Sequence, residues 1–121
     1  FAEYEEEALL YQRMAEMMYG YHTLVRPISK MVPVRKLVMG YTADQALIAT
    51  LPTDDVYWTE QTDLGTAAVV QLKSAGSRPI KKVEFWITGR LTPRARHECN
   101  ARGLIVKEGI RDILMPPSLQ E

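Results

Sequence analysis

The sequence predicts an α/β fold: a small, mostly parallel sheet of three to four strands with crossover helices, preceded by an N-terminal amphipathic helix. Two observations predict it. A unit of strand, polar turn, helix and glycine occurs twice, with its tryptophan at Trp58 and again at Trp86. Each unit is also long enough to bring the chain back parallel to itself, which needs roughly a dozen residues or more. A three-helix bundle with a hairpin is the structural alternative, because short apolar runs fit either arrangement.

The chain is interpreted as a single domain. Its 121 residues match a common domain size, and they divide into a helix over 1–28, an α/β core over 34–114 and a loose tail over 115–121. No apolar run approaches the roughly 18 residues that cross a bilayer, so we expect no membrane span within it. The sequence begins at Phe1, so a signal or anchor could lie upstream. Cytoplasmic and periplasmic locations are both compatible.

Residues 1–28 are predicted to form the amphipathic helix, with acidic residues in its opening turns and Pro27 at its end. Five apolar residues share one stripe at helical spacing: Leu10, Met14, Met17, Tyr21 and Leu24. Methionine adapts to irregular cores and to partner surfaces alike. The stripe therefore packs on the chain's own sheet or forms an interface with a protein partner or a second copy.

The segment after this helix is predicted to contain a connector and a first strand. Two prolines place the connector over 28–33, and an apolar run places the strand over 34–41. Thr42 and Gln45 then have the spacing of a capping box. A short helix over 46–51 is expected to follow, as a third and weaker copy of the repeated unit.

The first clear copy begins with a strand over 56–59. Thr62 or Asp63 would cap its helix, which runs to Ala75. Gly76 is placed for a left-handed residue just past the helix end.

The second copy begins with a strand over 83–88. Thr92 is a natural N-cap, and Pro93 fits the first helical position, where its missing N–H is not needed. Gly103 ends the helix. The remaining predicted elements are a short strand over 104–106 and a helical turn over 110–114.

The turn that opens the second helix is the best candidate for a binding site. Arg90 and Arg94 lie at a helix start, where positive charge opposes the helix dipole. Gly89 lets a ligand approach the backbone, and Thr92 offers a hydroxyl. These four residues predict a site for a small anion such as phosphate or carboxylate. The alternative is that the arginines are solvated or pair with acids of this chain.

No catalytic residue, metal or cofactor is predicted. His97 and Cys99 are two positions apart on a helix and face different directions. Cys99 is the single cysteine, so an intrachain disulfide and a cysteine metal cluster are excluded. Asp54 and Asp55 precede a strand, which is the wrong edge of a parallel sheet for a metal site.

Charge is balanced overall but divided along the chain. Residues 1–63 hold 10 acids and 5 bases, and residues 64–121 hold 5 acids and 10 bases. The halves could attract each other, or the basic half could face an acidic partner. The isoelectric point of about 6.9 is far from the basic footprint of nucleic-acid-binding domains, so a nucleic-acid partner is not favoured.

The leading functional hypothesis is a non-enzymatic interaction or assembly domain within a larger protein or complex. It depends on three observations: no group of residues has the spacing of a catalytic site, one helix face is rich in Met and Tyr, and the two halves of the chain carry opposite net charges. A small α/β protein that binds or acts on an anionic ligand at the turn over 89–94 is the alternative. Weak nucleic-acid binding is the third hypothesis.

Overall fold

The computed structural model describes residues 2–114, with side chains from residue 4 onward, and confirms the α/β class. The predicted tail over 115–121 lies outside the described residues. The elements in chain order are α1 (Ala2–Leu24), β1 (Ile28–Val34), β2 (Leu37–Thr42), β3 (Ala46–Leu51), β4 (Asp55–Val56), α2 (Glu60–Ala75), β5 (Lys82–Ile87), β6 (Arg90–Leu91), α3 (Pro93–Ala101), β7 (Ile105–Lys107) and α4 (Arg111–Leu114).

The main sheet has five strands in the order β1-β2-β3-β5-β7. The first three pair antiparallel, and β3, β5 and β7 pair parallel. Helices α2 and α3 supply the two predicted parallel crossovers. In the antiparallel part, β2 overlaps the strand predicted over 34–41, whereas β1 and β3 were not indicated as strands. The predicted strand over 56–59 is reduced to β4, which pairs with β6 in a separate two-stranded ribbon.

The predicted helix over 46–51 is wrong, because this segment is the central strand β3. Leu47 and Ala49 face one side of the sheet and join one core cluster, whereas Ile48 faces the other side and joins a second cluster. Both faces are covered, so the strand is a continuous apolar run without alternation. Such a run cannot be distinguished from a buried helix by its periodicity.

The apparent capping box is a turn between β2 and β3. The Thr42 hydroxyl accepts the N–H of Ala46 at 3.0 Å and donates to the Asp44 carboxylate. Gln45 has a φ of 68°, in the left-handed region, so the chain cannot continue as a right-handed helix. The predicted connector over 28–33 is likewise not a loop, since it forms most of β1.

Helix ends match the prediction at α3 and differ at α2. Thr92 caps α3 by accepting the N–H of Ala95, and Gly103 is left-handed with a φ of 76°. Helix α2 begins earlier than predicted, at the cap Thr59, whose hydroxyl accepts the N–H of Thr62. The left-handed conformation predicted for Gly76 is wrong, because its φ is −75°.

Helices cover both faces of the sheet. Helices α2 and α3 pack on the face that carries Val83, Phe85 and Ile87, and α1 and α4 pack on the face that carries Trp86. Gly20 allows α4 to approach α1 closely, because a Cβ there would collide with the carbonyl of Leu114. Within the described residues, no helix is both long and apolar enough to cross a bilayer.

Candidate ligand-binding cavity

A cavity of about 590 Å³ lies between the sheet and the N-terminal half of α2. Strands β3 and β5 end beside it, at Leu51 and Ile87, and α3 closes its far side with Ala95 and Cys99. In open α/β sheets, ligands bind in the crevice beyond the carboxyl ends of the parallel strands. The cavity therefore occupies the position where this class of fold forms its small-molecule sites.

The floor of the cavity is apolar. It is formed by Leu51, Val56, Val69, Phe85, Ile87, Leu91, Ala95 and Cys99. Cys99 is 5% exposed, and burial raises the pKa of its thiol, so the sulfur stays neutral and adds to the apolar wall. The floor can exclude water from an apolar ligand, whereas it offers no charged group to bind an ion.

Polar and charged residues line the mouth. Arg35 and Lys36 come from the turn between β1 and β2, and Glu60 comes from the first turn of α2. The backbone of this turn is braced by α1, because the Tyr11 hydroxyl donates to the carbonyl of Lys36 at 3.0 Å. The mouth thus combines a fixed hairpin turn with the beginning of a helix.

One arginine of α3's C-terminal cap holds the α2 wall in place. Arg102 donates to the Asp63 carbonyl at 3.0 Å, to the Thr66 hydroxyl at 2.7 Å and to the Asp63 carboxylate. Its guanidinium also lies 4.7 Å from the centre of the Trp58 ring, which lines the cavity. The two helices and the loop before α2 are therefore joined by a single side chain.

Gly65 leaves part of the α2 wall open. It lines the cavity, and a Cβ built on it would meet no atom within 4 Å. The buried residues of α2 are Thr66 and Val69. This half of the helix therefore spans the cavity without filling it, and position 65 is a natural place to change the cavity's volume.

The predicted anion-binding turn uses its own backbone donors. The N–H groups of Gly89, Arg90 and Thr92 are bonded at 2.8–2.9 Å to carbonyl oxygens of the segment 53–56. The Thr92 hydroxyl caps α3. A Cβ at Gly89 would collide with the backbone of that same segment, so this glycine serves the packing of the chain on itself. These donors are not free for a ligand.

The anion at this turn is the chain's own Glu108. Its carboxylate accepts the N–H of Leu91 at 2.8 Å and two hydrogen bonds from Arg96, each at 2.9 Å. Hydrogen bonding from Arg96 holds the pKa of Glu108 below its usual range. Arg90 packs against Gly109, and Arg94 is exposed. The partners of Glu108 are thus Leu91 and Arg96, which the sequence-based site of Gly89, Arg90, Thr92 and Arg94 did not include.

The apolar stripe of α1 is divided between core and surface. Met14, Met17 and Tyr21 are buried in the chain's own core, at 6%, 0% and 0% exposure. Leu10 and Leu24 are 42% and 67% exposed. Most of the stripe therefore packs on the sheet, and its two ends face solvent.

A second polar network lies on the α1 side, away from the cavity. The Arg26 guanidinium contacts the Glu84 carboxylate at 2.7 Å and the Asp44 carboxylate at 2.6 Å, and it donates to the Tyr21 hydroxyl at 2.9 Å. The Trp86 indole N–H donates to Glu84 at 2.9 Å. All of these groups have partners, so we assign the network to the docking of α1. Among the described side chains, no three His, Cys, Asp or Glu residues group as they would around a metal ion.

Comparison with known proteins returns no matching family model and no matching curated protein. Among solved structures, the fold is similar to a repair endonuclease from Pyrococcus abyssi, at 16% sequence identity and a TM-score of 0.49. The likeness covers 78% of this chain and 45% of that chain. The chain thus spans less than half the length of the endonuclease.

The functional prediction made from the sequence is withdrawn: it expected a non-enzymatic interaction or assembly domain, whereas the solved protein of similar fold is a repair endonuclease. The alternative within that prediction, a ligand at the turn over 89–94, is set aside with it, and Glu108 already occupies that turn. A likeness at this level concerns the fold alone and assigns no substrate to this chain.

Proposed function

We propose that this protein binds an apolar small molecule in the cavity between the sheet and α2. The observation that carries the proposal is the cavity itself: about 590 Å³ with an apolar floor and a polar mouth. Its volume lies within the range of roughly 300–1,000 Å³ that is typical of small-molecule sites, which are also mostly apolar with a few placed polar groups.

Its position supports the same function. The cavity lies beyond the carboxyl ends of β3 and β5, beside the first turns of the crossover helix between them. Well-packed interiors contain few voids larger than a water molecule. A partly open space of this size is accordingly better explained by a ligand than by imperfect packing.

The cavity walls are held without a ligand. Arg102 fixes α2 to α3, and Tyr11 fixes the turn at the mouth. A preformed site binds with a smaller loss of conformational entropy than one that must be assembled. We therefore expect binding to proceed without a large rearrangement of the fold.

The experiment is a titration with Nile red, a neutral dye whose fluorescence rises in apolar surroundings. The test variant is Gly65→Leu, which places a side chain into the cavity, and the matched control is Ala67→Leu on the exposed side of the same helix. Both changes replace a small residue by a good helix former. Urea unfolding of each variant shows that the fold is retained.

We expect Nile red to bind the wild-type chain and Ala67→Leu equally, and to bind Gly65→Leu at least about tenfold more weakly, a loss of about 1.4 kcal/mol. Equal binding by all three proteins would place the dye elsewhere and contradict the proposal. Failure of the wild-type chain to bind the dye would contradict it as well.

A further inference from the structure

We propose that the ligand is an amphiphile with one carboxylate: its apolar chain lies in the cavity, and its head lies at the mouth between Arg35 and Lys36. This inference rests on the proposed function and names the chemical class of the ligand. It concerns a different part of the molecule from the turn over 89–94, where the donors are already used.

The charges at the mouth carry the inference. Both Arg35 and Lys36 line the cavity and are exposed, and neither has a carboxylate within 4.0 Å among the described residues. Glu60 is the one acid among the lining residues. Arg96 and Arg102, by contrast, are each paired with a carboxylate. Two cations that have no carboxylate partner in the described part of the chain, beside an apolar floor, fit an anionic head on an apolar chain.

The backbone of Arg35 adds to this argument. Its φ is 55°, in the left-handed region that glycine adopts far more easily than a side-chain-bearing residue. The two-residue turn between the paired residues Val34 and Leu37 calls for such a conformation, and arginine there is less stable than glycine would be. The turn keeps a charged side chain at the cavity's mouth at a cost in conformational energy.

The geometry favours a free amphiphile over a lipid surface. The apolar residues that would contact the chain lie on the floor, beneath α2, and Phe85 and Ile87 among them are buried. A flat bilayer cannot reach such residues, whereas a single extended chain can enter from the mouth. The head then stays in partly solvated surroundings, where it keeps its charge without a full desolvation penalty.

The experiment is displacement of Nile red by three amphiphiles of equal chain length: dodecanoate, dodecanol and dodecyltrimethylammonium. All three share the apolar chain and differ in the charge of the head. For the wild-type chain we expect dodecanoate to displace the dye most effectively and the ammonium compound least. The double variant Arg35→Gln with Lys36→Gln should lose about fivefold in dodecanoate affinity and leave dodecanol unchanged.

Three further variants separate this effect from net charge and from folding. Lys73→Gln with Lys107→Gln removes the same charge from exposed positions that do not line the cavity. Arg35→Gly relieves the left-handed strain, so it should be more stable than the wild type and still bind dodecanoate more weakly. Gln45→Gly relieves the same kind of strain at a φ of 68° in a turn away from the cavity, and should leave affinity unchanged.

The outcomes distinguish this inference from the proposed function. If all three amphiphiles displace the dye equally from every variant, the cavity binds apolar chains and the carboxylate preference is refuted. If none displaces it and Gly65→Leu has no effect, both proposals fail. Binding to anionic vesicles that is unaffected by Gly65→Leu would identify a surface interaction and would overturn the inference.

Discussion

The Arg102 guanidinium lies 4.7 Å from the centre of the Trp58 ring, and the same group bonds to Asp63 and Thr66 of the helix that follows that tryptophan. The loop before α2 and the beginning of α2 are thus attached to α3 through one residue. Since Trp58 and Thr66 both line the cavity, this side chain determines how firmly the cavity wall is held.

Replacing Arg102 with alanine should therefore loosen α2 before it unfolds the protein. Hydrogen bonds to charged groups contribute about 1.5–3 kcal/mol, so we expect a loss of that order in the free energy of unfolding. Hydrogen exchange should accelerate in the first turns of α2, over 60–66. Arg94→Ala is the matched control, because Arg94 is an exposed arginine of the same helix region. Equal effects of the two substitutions on α2 exchange would contradict this role.

Two glycine-to-alanine substitutions should have opposite effects. At Gly65 the added methyl meets open space, so helix propensity dominates and stability should rise by up to about 1 kcal/mol. At Gly20 the methyl would collide with the Leu114 carbonyl, so α1 and α4 must separate, at a cost of about 1–3 kcal/mol. Urea unfolding measures both changes. Stabilisation by Gly20→Ala would contradict the close approach of the two helices.

The Glu84 network predicts a loss of stability in acid. Burial alone would raise the pKa of this carboxyl, but hydrogen bonds from Trp86 and Arg26 outweigh burial and lower it. A pKa that is lower in the folded state stabilises the protein above the unfolded-state value, about 4.3, and that contribution disappears as the pH falls through the folded-state pKa. We expect the free energy of unfolding to decline below pH about 4.3.

Glu84→Gln isolates this contribution. The amide keeps the size of the side chain and loses the charge, so the variant should be less stable than wild type at neutral pH by about 1.5–3 kcal/mol. Its stability should also fall less steeply in acid. Denaturant unfolding between neutral and acidic pH compares the two proteins, and parallel curves would show that Glu84 does not titrate in this range.

Glu108→Ala should create an anion site where the wild type has none. The substitution leaves the N–H of Leu91 and the Arg96 guanidinium without their carboxylate partner. Formate can occupy the vacated position, so it should raise the melting temperature of Glu108→Ala more than that of the wild type. Arg96→Ala in the same background should abolish the effect. Equal stabilisation of both proteins by formate would show that Glu108 does not fill this role.

Local signals in the sequence were sufficient where one short segment determines its own structure. Thr92 and Gly103 mark the ends of α3 through their own hydrogen bonding and backbone conformation. The segment over 46–51 was misread because burial on both faces removes the alternation that identifies a strand. The pair Thr42 and Gln45 was misread because a threonine hydroxyl accepts a nearby backbone N–H both at a helix start and in a turn such as this one.

The site could not be predicted in this way, because its parts meet only in the folded chain. Arg102 is 39 positions from Asp63, and Arg26 is 58 positions from Glu84. Neither separation leaves a pattern in the sequence. The cavity is harder still to predict, because it is the space between α2 and the sheet. Nothing in the sequence shows that the absence of a side chain at Gly65 leaves part of this space open.

The most direct test of the central claim is an amide NMR titration of the wild-type chain with dodecanoate. If the cavity is the binding site, the largest shifts should fall on its lining, at Gly65, Phe85 and Cys99, and should disappear in Gly65→Leu. Shifts confined to exposed apolar residues of α1, such as Leu9 and Tyr19, would show that the amphiphile binds the surface and would contradict the account.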